Sequence, residues 1–133
     1  MRRLLPIALL MWLVSPGCAD VDRDLPPDYR RVEIPTVRLA SGEAKVRGRE
    51  LFAQNCALCH GERGDGHGVR REGLTRPPRD FTSAAWQEST SPRHVFYAIR
   101  EGLPGTPMPS WKALSEQDAW DMTSYVLSIG DRR

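Results

Sequence analysis

Apolar residues recur at helical spacing in three stretches of the chain, and this pattern predicts three helices. The first helix is predicted to begin after Ser41, a residue suited to capping, and to continue to Cys56. Its apolar positions are Ala44, Gly48, Leu51 and Phe52. Glycine inside a helix costs about 0.5–1 kcal/mol of stability relative to alanine. We therefore expect another helix to cross the first one closely at Gly48, with a large ring such as that of Tyr125 over it.

The other two predicted helices lie in the C-terminal half of the chain, and each follows a serine and ends at a glycine. The middle helix starts with Ser91-Pro92 and ends at Gly102, and the last one starts at Ser115 and ends at Gly130. The apolar positions of the middle helix are Val95, Phe96, Ala98 and Ile99. Those of the last helix are Ala119, Met122, Tyr125, Val126 and Ile129. We interpret these faces as the core of a small helical domain that spans residues 41–133.

The N-terminus has the pattern of a secretory signal peptide. Two arginines precede an apolar run from Leu4 to Val14, which is short for a transmembrane helix. Residues 1–17 are therefore predicted to be a targeting segment. The residues around Cys18 resemble a bacterial lipoprotein site, so Cys18 is predicted to carry lipid and to hold the protein on a membrane. Cleavage near Ala19 and an uncleaved anchor are the alternatives, and all three readings export the chain.

Residues 18–40 are predicted to form an extended tether. Between Asp20 and Ala40 the chain carries four aspartates and three prolines, and it shows no sustained helical period. The alternative is that this segment packs along the domain surface. The residues that would make such contacts are Tyr29, Val32, Ile34 and Val37.

Composition limits the function classes that this chain fits. A length of 133 residues suits one domain. The chain has 19 Lys and Arg residues, of which two lie in the targeting segment, and the rest balance 17 Asp and Glu residues. A nucleic-acid-binding protein needs a clustered basic face, so we expect no nucleic-acid partner. The sequence shows no paired carboxylates and no nucleophile–base pair, and we expect that the protein is not an enzyme.

The segment Cys56-Ala57-Leu58-Cys59-His60 carries the candidate chemistry. Its C-x-x-C-H spacing is the pattern of covalent c-type haem attachment. The two thiols are about one helical turn apart, so both reach the same edge of a porphyrin, and His60 is placed to ligate the iron. A zinc site would need about four ligands, and a redox C-x-x-C pair would sit in a βαβ unit; neither pattern is visible. We therefore predict one haem c held by Cys56 and Cys59, with His60 as an iron ligand.

Met108 is the predicted second iron ligand. It lies between Pro107 and Pro109 in a loop rich in proline and glycine, which restricts the backbone and is a poor place for routine packing. Ligation by histidine and methionine saturates the iron and suits electron transfer. The alternatives are that Met108 fills the core, or that His94 or His67 takes the sixth position.

The segment between the haem motif and the middle helix is predicted to contact the cofactor. Glycines at positions 61, 64, 66 and 68 alternate with polar residues, and such a backbone can wrap closely around a flat group. The carbonyl of Pro77 or Pro78 is predicted to accept the Nδ1–H of His60, which would leave Nε2 facing the iron. The alternative is a simple turn at these prolines.

Taken in order, these motifs resemble a class I cytochrome c of the bacterial, single-haem, membrane-tethered kind. The resemblance rests on Gly48-x-x-x-Phe52, the haem motif, Pro77-Pro78-Arg79-Asp80-Phe81, the segment from Gly102 to Pro109, and Met122-x-x-Tyr125-Val126. It implies an all-α fold in which three to four helices wrap around one covalent haem. It also implies that the N- and C-terminal helices cross, and that the haem lies between His60 and Met108. The candidate partners of the haem propionates are Arg79, Trp86 and Trp111.

The resemblance implies a single-electron carrier that shuttles electrons between respiratory or photosynthetic membrane complexes. Its expected partners are redox proteins: a quinol-oxidising complex as donor, and a terminal oxidase or reductase as acceptor. The expected location is the periplasmic side of a membrane, where a monomer is held through its N-terminus. Two alternatives stay open. One is a haem c subunit permanently docked in a larger redox complex, and the other is a ligand-binding or sensor haem protein with a labile sixth ligand.

Overall fold

The computed structural model describes residues 20–132, and within this range the chain is helical and contains no strand. The predicted all-α class is confirmed. The helices are α1 Pro27–Arg30, α2 Thr36–Ala40, α3 Gly42–Asn55, α4 Ala57–His60, α5 Ala84–Ser89, α6 Pro92–Glu101 and α7 Glu116–Ser128, and two 3₁₀ turns lie at Val21–Asp24 and Gly130–Arg132. The predicted signal peptide and Cys18 lie outside the described residues. None of the helices between residues 20 and 132 has the length and apolar character needed to cross a bilayer.

The three helices predicted from periodicity are α3, α6 and α7, and each begins at its predicted serine cap. Ser41 Oγ and Ser115 Oγ each accept the backbone N–H three residues later at 3.0 Å. Ser91 Oγ accepts the N–H of His94 at 3.2 Å. These caps satisfy N–H groups that have no partner inside a helix. The other helices have four to six residues, which is too short for a periodic pattern to show in the sequence.

Helices α3 and α7 cross at Gly48, as predicted. A Cβ at this position would overlap the backbone carbonyl of Asp121 and would lie 2.8 Å from the Cβ of Tyr125. The helices approach this closely because Gly48 has no side chain. One turn later, Phe52 packs on Tyr125 with 5.2 Å between the ring centroids. The crossing therefore fixes the direction in which α3 leads into the haem motif.

The hydrophobic core lies between α3, α6 and α7. Phe96 and Trp120 stack with their ring centroids 4.0 Å apart, which joins α6 to α7. The clustered core residues are Leu51, Phe52, Val95, Phe96, Ile99, Ala119, Trp120, Met122, Tyr125, Val126 and Ile129. Every apolar position predicted from periodicity is buried except Ala98, which is half-buried. The periodic pattern therefore predicted the faces of the three long helices correctly.

Residues 20–40, which we name the strap, pack on the domain, and the predicted extended tether is wrong for this segment. Leu25 is 3% exposed. The strap residues that pack against the core are Tyr29, Val32, Ile34 and Leu39, whereas Val37 is exposed. The apolar residues of the strap are spread over one 3₁₀ turn, two helices of four and five residues, and the segments between these elements. They therefore reach the core without producing a helical period in the sequence.

An ion pair with two hydrogen bonds anchors the end of the strap on α7. Arg38 donates from Nε and Nη2 to the two carboxylate oxygens of Asp121, each at 2.6 Å. The Asp121 side chain is fully buried, and a buried carboxylate without a partner is strongly destabilising. Ser124 Oγ donates to the carbonyl of Leu39 at 2.7 Å. Arg38 of the strap therefore neutralises the buried carboxylate of Asp121, which lies on α7 where this helix crosses α3.

Further polar contacts fasten the strap to both ends of α6. At the start of α6, Arg93 donates to the Asp22 carboxylate and to the carbonyl of Val32, both at 2.9 Å. At the end of α6, the hydroxyl of Tyr29 donates to Glu101 at 2.5 Å. Burial and the bond to Glu101 raise the pKa of Tyr29 to about 12. The hydroxyl therefore stays protonated, and remains a donor, at neutral pH.

Gly48→Ala is expected to destabilise the protein, because the new methyl group would overlap the α7 backbone at Asp121. Overpacking of this kind costs about 1–3 kcal/mol, and alanine returns only about 0.5–1 kcal/mol to a helix. Chemical denaturation measures the difference in the free energy of unfolding between the variant and the wild-type protein. Gly42→Ala is the matched control, because it also lies in α3 and its new methyl group would meet no atom within 4 Å. An equal loss in both variants would contradict the close crossing.

Arg38→Met is expected to lower the denaturation midpoint and to loosen the strap, because it leaves the Asp121 carboxylate buried without its partner. Hydrogen exchange across residues 20–40 measures the loosening directly. Arg31→Met is the control, because Arg31 is exposed on the same strap. Unchanged protection of the strap in the Arg38 variant would show that the ion pair does not hold it.

Candidate haem site

The haem motif forms a short helix that follows α3 directly. The N–H of Cys56 donates to the carbonyl of Phe52 at 2.8 Å, and the N–H of His60 donates to the carbonyl of Cys56 at 2.9 Å. Cys56, Cys59 and His60 line a cavity of about 590 Å³ together with Met108. This volume lies within the usual range for ligand and cofactor pockets, about 300–1,000 Å³. The four side chains predicted to hold the haem are therefore brought to one site.

His60 is oriented by the backbone of the segment that follows the two prolines. Its Nδ1 lies 3.1 Å from the carbonyl oxygen of Arg79. Because a carbonyl can only accept, Nδ1 carries the hydrogen and Nε2 keeps its lone pair. Burial lowers the pKa of His60 below its ordinary value, so the imidazole is neutral, as an iron ligand must be.

The predicted acceptor for His60, the carbonyl of Pro77 or Pro78, is wrong. The acceptor is the carbonyl of Arg79, the residue that follows them. The ring of Phe81 stacks on the His60 ring with 4.6 Å between centroids, and this stacking holds the segment with the Arg79 carbonyl toward Nδ1. The two prolines restrict the backbone of the segment that leads to Arg79, but they do not accept the hydrogen bond from His60.

Cys56 and Cys59 are partly shielded from solvent and form no disulfide with each other. Burial, with a smaller contribution from Cys59, raises the pKa of Cys56 to about 12. A redox-active cysteine reacts as a thiolate, and a thiol with this pKa stays protonated at neutral pH. Within residues 20–132, no group of three or more His, Cys, Asp or Glu side chains is placed to hold a metal ion. The redox and zinc alternatives therefore find no support in this geometry.

Met108 lies in a loop that is held by hydrogen bonds between its own residues. Its carbonyl accepts the N–H of Leu103 at 3.2 Å, and its N–H donates to Thr106 Oγ1 at 3.2 Å. Thr106 Oγ1 in turn donates to the carbonyl of Leu103 at 2.7 Å. Gly102 ends α6 with a φ of +69°, and a Cβ there would lie 2.7 Å from the carbonyl oxygen of Met108. The position of Met108 therefore depends on Gly102 and on the hydroxyl of Thr106, whose role gives no signal in the sequence.

A second cavity, of about 320 Å³, lies beside the first and against the core. Its apolar lining includes Phe52, Val95, Ile99, Met122 and Val126. The residues that line both cavities are Cys56, His60, Arg79, Trp86, Leu103 and Met108. Because both predicted iron ligands line both cavities, we treat the two as parts of one space and name it the haem slot.

The other predicted site residues divide between the haem slot and the surface. His94 lines the smaller cavity. The side chain of His67 is 65% exposed and lines neither cavity, so it is not placed to ligate an iron in the slot. The candidate propionate partners Arg79, Trp86 and Trp111 all line the larger cavity. Their contact with a propionate stays a prediction.

The glycine loop after the haem motif packs behind that motif, and the prediction that it wraps the cofactor is wrong. None of its four glycines lines the larger or the smaller cavity. A Cβ at Gly68 would overlap the backbone of Leu58 and Cys59, and a Cβ at Gly64 would lie 2.7 Å from the side chain of Ile129. The loop therefore supports α4 from outside the slot, where only glycine allows so close an approach.

Residues 46–130 match the family model described as Cytochrome c. The chain belongs to the cytochrome c family. The match runs from α3 past the end of α7, and it includes the haem motif and the Met108 loop. The resemblance to class I, single-haem cytochromes c is thereby confirmed, and membership of the family implies a covalently bound c-type haem. The paired cysteines, the neutral His60 and the apolar wall of the slot fit that group.

Curated relatives of this cytochrome c include an oxidase subunit. The cbb3-type cytochrome c oxidase subunit CcoP of Cereibacter sphaeroides is 39% identical over 90 residues, which are 64% of this chain and 27% of that protein. Cytochrome c55X of Paracoccus denitrificans is 36% identical over 80 residues, which are 59% of this chain and 68% of that protein. The match therefore spans about a quarter of the oxidase subunit and two thirds of cytochrome c55X.

Solved structures share the fold of this cytochrome c. The c-type cytochrome KustC0563 aligns with a TM-score of 0.52 and 31% identity over 62% of this chain and 95% of that chain. A chain of the Kuenenia stuttgartiensis reducing HAO-like protein complex Kustc0457/Kustc0458 aligns with a TM-score of 0.60 and 31% identity, over 67% of this chain and 44% of that one. Both alignments agree with the all-α class I cytochrome c fold.

Proposed function

We propose that this cytochrome c is a single-electron carrier with one haem c, which is attached through Cys56 and Cys59 and ligated by His60 and Met108. The observation that carries the proposal is that these four side chains line one slot with an apolar wall. When bound, the haem supplies the one-electron chemistry. The chain supplies covalent attachment, two axial ligands and a surrounding from which the core side chains exclude water.

The geometry of the two ligands supports electron transfer in preference to catalysis. The carbonyl of Arg79 holds the hydrogen on Nδ1 of His60, which leaves Nε2 available as a ligand. The closed loop around Thr106 presents Met108 to the same slot. A histidine–methionine pair raises the haem potential and leaves no iron position for a substrate. We therefore expect no enzymatic activity of the isolated protein.

We also propose that the chain is exported and works on the periplasmic side of a membrane. The support comes from residues 1–17, which have the pattern of a signal peptide, and from Cys18, the predicted site of lipidation. The proposed electron donor is a quinol-oxidising complex, and the proposed acceptor is a terminal oxidase or reductase. The relatives named as cbb3-type oxidase subunits support an oxidase as a partner.

A second candidate function is a haem c subunit that stays docked in a larger redox complex. The names of the relatives CcoP and FixP, the latter from Azorhizobium caulinodans, favour it. The matched segments are 27% and 28% of those two proteins, so the likeness concerns one part of each. A sensor function with a labile sixth ligand has less support, because the Met108 loop is closed by three hydrogen bonds.

Met108→Ala is expected to lower the reduction potential and to let added imidazole bind the iron, because it removes the thioether from the sixth position. A potentiometric titration followed by visible spectroscopy measures both effects. Met122→Leu is the matched control: Met122 also lines the slot, but a leucine there keeps the apolar wall.

Two outcomes would contradict the proposal. An unchanged potential and unchanged imidazole binding in the Met108 variant would show that Met108 is not a ligand, which would favour the sensor alternative. A pyridine haemochrome spectrum that shows no covalent haem in the exported wild-type protein would overturn the carrier function altogether.

The free carrier and the docked subunit are separated by the size of the protein after mild detergent extraction. We expect the wild-type protein to run alone in size-exclusion chromatography, with haem absorbance at the position of a single chain. Co-elution of all the haem absorbance of this chain with an oxidase would instead assign it as a permanent subunit. The control is the same extract at high salt, because ionic contacts of a transient complex are screened there.

A further inference from the structure

The loop that carries Met108 begins and ends at the last turn of α6. It leaves the helix at Gly102, directly after Glu101, which is the last residue of α6. It comes back to the helix where the N–H of Trp111 donates to the carbonyl of Ile99 at 2.9 Å. The last turn of α6 therefore holds both ends of the loop, so its position affects where Met108 lies.

The carboxylate of Glu101 binds one group from the loop and one from the strap. Lys112 Nζ, just past the returning end of the loop, lies 2.6 Å from Oε2, and the hydroxyl of Tyr29 donates to Oε1 at 2.5 Å. The hydrogen bond from Lys112, and after it the one from Tyr29, brings the pKa of Glu101 below its ordinary value. The carboxylate is therefore ionised at neutral pH, and it joins the strap to the segment that follows Met108.

The contact with Tyr29 is better shielded from water than the contact with Lys112. The side chain of Lys112 is 61% exposed, and an exposed ion pair adds little because solvent and salt screen it. The ring of Tyr29 packs edge-on against Tyr97 of α6, with 4.8 Å between the centroids. A hydroxyl that donates to a carboxylate also forms one of the stronger kinds of hydrogen bond. The strap therefore supplies the firmer of the two contacts.

Tyr29 lies on the strap, outside the residues 46–130 that match the family model. Its bond to Glu101 joins residues 72 positions apart, so the bond exists only while the strap is packed on the domain. The strap is fastened on both sides of Tyr29, through Asp22 at the start of α6 and through Arg38 on α7. The hydroxyl is thus held at a fixed place against the end of α6.

We propose that Glu101 is a positioning residue for Met108, and that the strap holds Glu101 in place through Tyr29. The proposal rests on the proposed function, in which Met108 is the second iron ligand. While the bond from Tyr29 is made, the end of α6 is fixed and the loop keeps Met108 at the slot. Without this bond the loop leaves the slot more often, and the sixth position of the iron opens to an added ligand.

Added imidazole measures this effect, because it binds only in molecules whose Met108 has left the iron. Its apparent affinity scales with the fraction of molecules in that open state. A contact that favours the closed loop therefore weakens imidazole binding. By reciprocity, bound imidazole weakens that contact by the same factor, so imidazole should also loosen the strap.

Tyr29→Phe removes the hydroxyl and keeps the ring. We expect imidazole to bind the haem-loaded variant about fivefold more tightly than the wild-type protein, at the low end of couplings between separate sites. A titration followed by visible spectroscopy measures the affinity. Tyr97→Phe is the matched control, because this ring packs against Tyr29 and its hydroxyl forms none of the hydrogen bonds within residues 20–132. It should keep the wild-type affinity.

Two substitutions of Glu101 separate positioning from a general loss of stability. Glu101→Leu removes both contacts and is expected to give the largest gain in imidazole affinity. Glu101→Gln keeps an oxygen that can accept from Tyr29, and it should restore most of the wild-type value. Ile129→Val controls for stability, because Ile129 is buried and lines neither cavity. It should lower the denaturation midpoint and leave imidazole affinity unchanged.

Hydrogen exchange of the strap adds a readout that a purely structural role would not move. In the wild-type protein, saturating imidazole is expected to speed amide exchange across residues 27–32. In Tyr29→Phe the same amides should exchange fast already and should not respond to imidazole. Exchange that imidazole leaves unchanged in the wild-type protein would overturn the proposal. Equal imidazole affinities of Tyr29→Phe and Tyr97→Phe would overturn it as well.

The failure of this proposal is distinguishable from the failure of the proposed function. If Met108→Ala binds imidazole more tightly than the wild-type protein and Tyr29→Phe does not, ligation by Met108 stands and the role of the strap is wrong. If Met108→Ala and the wild-type protein bind imidazole equally, Met108 is not an iron ligand, and both proposals are overturned at that point.

Discussion

The contact between Gly48 and the backbone of α7 is the constraint on which the domain is built. Because a side chain at this position would overlap the carbonyl of Asp121, α3 and α7 meet backbone to backbone. Two turns after the crossing, α3 reaches Cys56, so the direction of the helix decides where the thiols lie. The core on the other side of the crossing forms the apolar wall of the haem slot. The crossing at Gly48 thus sets the position of the two thiols relative to the apolar wall of the haem slot.

The two predicted iron ligands are held by backbone and hydroxyl groups of their own segments. His60 is oriented by the Arg79 carbonyl, and Met108 by hydrogen bonds with Leu103 and Thr106. Such contacts depend on the path of the chain, which is shaped by the stacking of Phe81 on His60 and by the end of α6. The ligand positions are consequently set by segments far apart in sequence, and the slot exists only when both have folded onto the core.

The sequence predicts those features of the fold and the site that leave a long or fixed pattern of residues. The long helices follow from apolar periodicity, and the haem motif follows from the spacing of Cys56, Cys59 and His60, because covalent chemistry requires that spacing. The sequence leaves the packing of the strap only as an alternative to a tether, because helices of four or five residues carry no period. The acceptor for His60 was missed because every residue has a carbonyl, and its direction depends on the fold. The role of Thr106 has no signal in the sequence for another reason: its hydroxyl acts through the conformation of its own loop, which no residue pattern specifies.

The packing of the strap has a consequence for how the protein would meet its partners. Only Ala19 separates Cys18 from the first described residue, and the chain beyond it is fastened to α6 and α7. The lipid proposed for Cys18 would therefore hold the domain close to the bilayer surface. Encounters with membrane-bound partners would then arise from lateral diffusion in two dimensions, with the haem kept near the lipid.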